Sequence, residues 1–167
     1  EYKGGLGAAG LEQLTAFAKA GGTVIALNRA SNIFLNSPGA PHNLLQGVSN
    51  KDFYGPGTLL HATVDSSNPV AFGLEKSLPI FFEQGPAFET KTGARSIVSY
   101  PSGSLLASGW LLGGDRLKGA SALSEVPFGD GRFLLFGFRP QYRAQSEATY
   151  GFLFNALFYA ATKPASL

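Results

Sequence analysis

Six residues that never alternate, Phe133–Leu134–Leu135–Phe136–Gly137–Phe138, follow the turn Gly129–Asp130–Gly131 and run into the corner Arg139–Pro140–Gln141. A strand with apolar residues at every position has no face for water. It is expected inside a sheet that is covered on both sides. The polar residues Arg139, Gln141, Arg143 and Gln145 follow at its carboxyl end. Open α/β sheets place their ligand and catalytic groups there, so that corner is the first place to look for a site.

The segments around this run agree with an α/β framework. Ala8 to Ala20 is expected to be a helix, with Leu11, Leu14, Phe17 and Ala18 on one stripe. Gly21–Gly22 ends it, and Thr23–Leu27 is a short buried strand. The final helix is expected from Ser146, a good N-cap, to about Thr162. Tyr150, Leu153, Phe154, Leu157, Phe158 and Ala161 fall at the spacing of a core stripe. Phe152, Ala156, Tyr159 and Ala160 make its other side apolar as well, so the helix should be deeply buried or packed on another surface.

Between these ends the chain is β-rich. Strands are expected at Thr58–Val64, Ile80–Phe82, Phe88–Glu89, Arg95–Tyr100, Leu105–Leu112 and Ala120–Val126. Asn68–Leu74 reads as a turn or short helical segment, and a short helix is expected near Asn43–Leu45. No strand precedes the first helix. The expectation is therefore one domain over 1–167, a fragment of a larger protein that starts partway through an α/β fold and exposes an edge.

Composition narrows the chemistry. With 167 residues, 44% apolar and 14% charged, the chain can bury a sizeable core. A net charge of +2 without a Lys/Arg run gives no footprint for nucleic acid. No stretch has the length of a membrane span. The absence of cysteine removes disulfides, thiolate catalysis and thiolate metal sites.

The catalytic motifs are equally thin. His42 and His61 lie in different segments without metal-ligand spacing, so no metal and no cofactor is expected; His61, on an apolar strand, reads as structural. The serines at 102, 104 and 108 do not form a nucleophile elbow. Gly4–Gly10 is glycine-rich before a helix but lacks the preceding strand of a dinucleotide loop. The corner at 139–145 leaves two readings. Its arginines and amides could grip a carboxylate, or Arg139 and Gln145 could satisfy carbonyls and pair with local acids such as Asp130.

Together, Gly21–Asn28, Asn68–Leu74 and Gly129–Leu157 resemble the class I glutamine amidotransferase-like fold, also used by ThuA-like proteins. That resemblance implies a flavodoxin-like, mostly parallel sheet flanked by helices, here with a β-rich insertion. In the catalytic members a strand like Thr23–Leu27 leads to a nucleophilic Cys, and the last strand ends in a Phe-His-Pro-Glu-like corner. This chain has Asn28 at the first position and Phe138–Arg139–Pro140–Gln141 at the second. The resemblance implies a scaffold without the catalytic residues, leaving Asn28, Arg139, Gln141 and Arg143 as ligand-facing candidates.

Phe53–Leu60, Ser108–Leu111 and Phe136–Gln141 also resemble the C-terminal region of bacterial carboxypeptidase A-like zinc peptidases. This implies a non-catalytic accessory domain of a secreted or periplasmic protein. Its partners would be an upstream peptidase domain, a second copy, or a peptide or cell-wall ligand. The alternative is a hydrolase in which Arg139 and Arg143 bind a substrate carboxylate. It requires His42 or His61 beside a nucleophile.

Overall fold

The computed structural model describes residues 5–89, 93–144 and 147–162. Its elements in order are α1 (Gly7–Lys19), β1 (Thr23–Ala26), β2 (His42–Asn43), β3 (Pro56–Val64), β4 (Ser77–Glu83) and β5 (Phe88–Glu89). Then come β6 (Arg95–Ser99), β7 (Leu106–Ser108), β8 (Ser121–Phe128), β9 (Gly131–Phe136) and α2 (Tyr150–Ala161). The expected Ser146 N-cap and the corner amide of Gln145 lie outside the described residues.

The nine strands form one sheet whose main path is β1-β9-β8-β6-β3-β4. β1 pairs with β9 in parallel, whereas every other pairing in the sheet is antiparallel. The expected mostly parallel sheet is therefore corrected. Adjacent parallel strands need a crossover of a dozen or more residues, usually a helix. Among the described residues no α-helix connects the strands of the β-rich middle, whose links carry at most a short 3-10 turn, and β8 reaches β9 through Gly129 and Asp130 alone. An antiparallel bridge from Phe81 to Arg139 brings the end of β4 back to the chain beyond β9.

β9 is an interior strand between β1 and β8, covered on both faces as its sequence requires. Phe133, Leu134, Leu135 and Phe136 are all completely buried. Phe133 and Leu135 join Ala18, Val24, Ala26 and Phe34 on the α1 side. Leu134 and Phe136 join Phe138, Phe152 and Ala156 on the α2 side. The turn before β9 is locked to α1: Asp130 N–H donates to the Lys19 carbonyl at 3.1 Å. Gly129 has φ +60°, and a Cβ there would lie 2.6 Å from the Lys19 oxygen, so glycine is required twice over.

α2 turns a different face inward from the one its largest residues suggest. Phe152 and Ala156 are buried, whereas Phe154, Leu157 and Phe158 are 57%, 54% and 75% exposed. Two small or polar residues decide the rotation. Gly151 lets Leu74 approach, since a Cβ would meet the Leu74 side chain at 2.6 Å. Asn155 Nδ2 donates to the carbonyls of Val70 at 3.1 Å and Phe72 at 2.8 Å. Satisfying those carbonyls fixes the face 151–152–155–156–159 inward and leaves Phe154, Leu157, Phe158 and Ala161 of the expected stripe outside, with Tyr150 and Leu153 half-buried.

The segment before β3 differs too. Asn28–Phe34 is a 3-10 helical turn, and His42–Asn43 is a strand paired with β5 rather than part of a short helix. The expected strand over Leu105–Leu112 shrinks to Leu106–Ser108, beyond which Gly109 adopts φ +93°.

Candidate functional site

β1 ends in Ala26, and Asn28 takes φ +52°, a left-handed conformation uncommon outside glycine. Ser31, buried, holds this turn by donating to the carbonyls of Ala26 at 3.0 Å and Phe136 at 2.8 Å, thereby joining the ends of β1 and β9. Asn28 is itself buried, and its Nδ2 donates to the Glu83 carbonyl at 3.1 Å. Three segments converge on this point. A Cβ on Gly85 would overlap both the Gly137 carbonyl and the Asn28 carboxamide.

Arg139 reaches the same residue from the other side. Its Nη2 pairs with Glu83 Oε2 at 2.8 Å, and its backbone N–H donates to the Phe81 carbonyl. The guanidinium stands 5.0 Å from the centre of the Tyr142 ring, which in turn stacks on Phe81 at 4.8 Å. The acid expected for Arg139 was Asp130. It is Glu83 instead, because Asp130 stays with α1 at the opposite end of β9.

Asn28 and Arg139 thus meet through Glu83, a residue that sequence reasoning passed over. Its only signal was a lone charge closing the apolar run Leu78–Phe82, interrupted by Pro79. Gln141 is exposed and makes no hydrogen bond to either residue among the described residues. Arg143 is exposed with φ +51°, its guanidinium 5.2 Å from the Tyr142 ring. Asn28 Oδ1 and Arg139 Nε are buried and have no hydrogen-bond partner among the described residues.

A cleft of about 240 Å³ opens beside this point. Gln84, Gly85 and Pro86 form one wall, Asn32 and Asn43 another, and Asn50, Phe53 and Tyr54 a third. No charged side chain lines it.

A second polar cluster lies along β8 and β9 under α2. Glu125 Oε1 accepts from Arg132 Nη1 at 3.1 Å and from the Tyr159 hydroxyl at 3.0 Å. Its Oε2 accepts from Asn68 Nδ2 at 2.9 Å, and the Arg132 guanidinium covers the Tyr159 ring at 4.3 Å. Burial raises the Tyr159 hydroxyl pKa, and the Glu125 carboxylate raises it further.

The histidines join none of this. His42 and His61 are exposed, and neither side chain hydrogen-bonds a serine or a carboxylate among the described residues. His61 is therefore not the structural histidine expected on its strand, because it points from the outer face of β3. Among the described residues no three of His, Cys, Asp and Glu come together as a metal site. No described helix is long and apolar enough to cross a membrane.

Similarity to known structures follows the fold rather than the residues. A putative ThuA-like protein of Bacteroides uniformis superposes with TM-score 0.55 at 10% identity, over 93% of this chain and 65% of that one. The fold is ThuA-like. A cytoplasmic protein of Salmonella typhimurium gives TM-score 0.57 at 14% identity, over 92% of this chain and 61% of its own. A β-galactosidase of Bacillus circulans gives 0.53 at 16%, over 94% of this chain and 21% of the enzyme. The chain thus spans less than two thirds of these three proteins. No protein-family model matches the sequence, and no curated protein matches it. Of the expected resemblance, the likeness to a ThuA-like fold is present, with the sheet mostly antiparallel.

Proposed function

We propose that this is a non-catalytic accessory domain of a bacterial zinc carboxypeptidase-like protein, secreted or periplasmic. One observation carries the non-catalytic part. The elbow after β1 is present, with its left-handed residue, but that residue is Asn28 and its amide is bound to the Glu83 carbonyl. A carboxamide is no nucleophile, and Arg139, always protonated, is no general base. The peptidase context rests on the sequence resemblance. A related fold makes up about a fifth of the B. circulans β-galactosidase chain, which supports use of such a domain as a module in a larger protein.

The outward face of α2 is the surface we assign to contact with a peptidase domain. Phe154, Leu157 and Phe158 lie exposed on a helix that carries no charged residue. The alternative hydrolase reading has less support, since Arg139 is engaged by Glu83 and neither histidine is paired with a nucleophile. Glutaminase and carboxypeptidase assays, with and without zinc, test the proposal. No turnover is expected, and turnover of either substrate overturns it. Phe158→Glu is expected to shift unfolding by less than about 0.5 kcal/mol, as an exposed substitution does. The same variant should lose binding to a separately produced peptidase domain; unchanged binding would remove α2 as the contact.

A further inference from the structure

The cleft beside Glu83 combines features that together select a ligand class. Asn43, 8% exposed, is held in place: its Oδ1 accepts from Leu45 N at 3.0 Å and Ala87 N at 3.3 Å. Its Nδ2 donates to Asn32 Oδ1 at 3.0 Å, which orients the Asn32 carboxamide with its own N–H groups unengaged. The carboxamides of Asn50 and Gln84 and the hydroxyl of Tyr54 also make no hydrogen bond among the described residues. Gln84 stands at φ +52°, a second strained residue beside the elbow of Asn28.

We propose that this cleft binds one ring of an uncharged sugar. Free carboxamides donate and accept at once, as do the hydroxyls of a sugar. No Lys, Arg or His lines the cleft to hold an anion, and no Asp or Glu lines it to hold a cation. A volume of about 240 Å³ lies below the roughly 300–1,000 Å³ of sites for drug-sized ligands, so a single ring is the size that fits. Tyr54 and Trp110 meet edge-on at 5.9 Å and 84°, so they form no parallel slot for a flat base. Tyr54 and Phe53 line the cleft and offer it aromatic surface beside the free carboxamides. Hydrolysis is not part of the proposal, because a glycosidase needs two carboxylates across the bond.

The test is an NMR titration of the intact protein with glucose, galactose and N-acetylglucosamine, and with adenosine and a capped dipeptide as controls. At least one sugar is expected to bind in the millimolar range and to shift the amide signals of Asn50 and Gln84. Asn50→Ala and Gln84→Gly are each expected to weaken binding roughly fivefold, the worth of one uncharged hydrogen bond. Both positions are exposed, and glycine suits the left-handed backbone at 84, so the variants keep the fold. The proposal is overturned if no sugar binds, if the double variant binds as well as the parent, or if only adenosine or the dipeptide binds. No turnover is measured in this titration, so its failure leaves the non-catalytic reading intact.

Discussion

Glu83 and Glu125 each hold an arginine, yet their surroundings differ. Around Glu125 the carboxylate serves Arg132, Tyr159 and Asn68, and the guanidinium covers an aromatic face. The side chains of Arg132 and Glu125 are 20% and 13% exposed. Around Glu83 the pair is more open, at 36% for Arg139 and 28% for Glu83. Arg139 Nε and the nearby Asn28 Oδ1 are buried without partners among the described residues. Each unpaired buried polar atom costs about 1–3 kcal/mol. A saturated network holds a layer in place. The unsaturated one has two left-handed residues, Asn28 and Gln84, beside it.

The largest expected effect breaks the comparison most directly. Glu125→Ala should lower the unfolding free energy by about 2 kcal/mol, because three donors lose their acceptor under α2. Glu83→Ala should cost about 1 kcal/mol or less, since water reaches both charges of the Glu83–Arg139 pair. Urea denaturation measures both; equal losses would show that the two networks are not different in kind.

At the elbow, Asn28→Ala should cost about 1.5 kcal/mol, combining a lost hydrogen bond with a left-handed alanine. Asn28→Gly loses the same bond but relaxes the backbone, so about 0.5 kcal/mol is expected. If glycine costs as much as alanine, strain at 28 is not the reason.

The smallest effect comes from a third pair, Asp65–Arg95, which is exposed and sets the floor. The Ser67 hydroxyl, and then Arg95, hold the Asp65 carboxyl down to about 2 from its ordinary 3.8. A lowered carboxyl contributes stability above its ordinary value and loses it as the pH falls toward 2. With side chains 48% and 35% exposed, solvent screening keeps this below about 0.5 kcal/mol. Arg95→Gln should lower neutral stability by part of that amount and leave stability near pH 2 unchanged, which flattens the acid limb. A larger loss at neutral pH would mean the pair does more than its exposure allows.

Much of the fold was legible. The unbroken apolar run of β9 stated its own burial, and the glycine pairs around α1 and the β8–β9 turn marked contacts that only glycine permits. The site was half legible. Asn28 and Arg139 stand out because resemblance says what should occupy those positions. Glu83 joins them across 55 residues from Asn28 and a strand pairing, which no local pattern announces.

By itself, the sequence determined the absence of thiol chemistry, the doubly covered interior strand β9 and the apolar character of α2. It could not determine strand direction, because alternation and apolar runs are the same for parallel and antiparallel neighbours. Nor could it choose which face of α2 turns inward, since both faces are apolar and burial alone does not separate them. The tertiary structure decided that through two carbonyls that needed a donor and found Asn155, and through Leu74 needing the space over Gly151. Hydrogen-bond satisfaction is directional where hydrophobic burial is not, so a single amide outweighed three large apolar side chains.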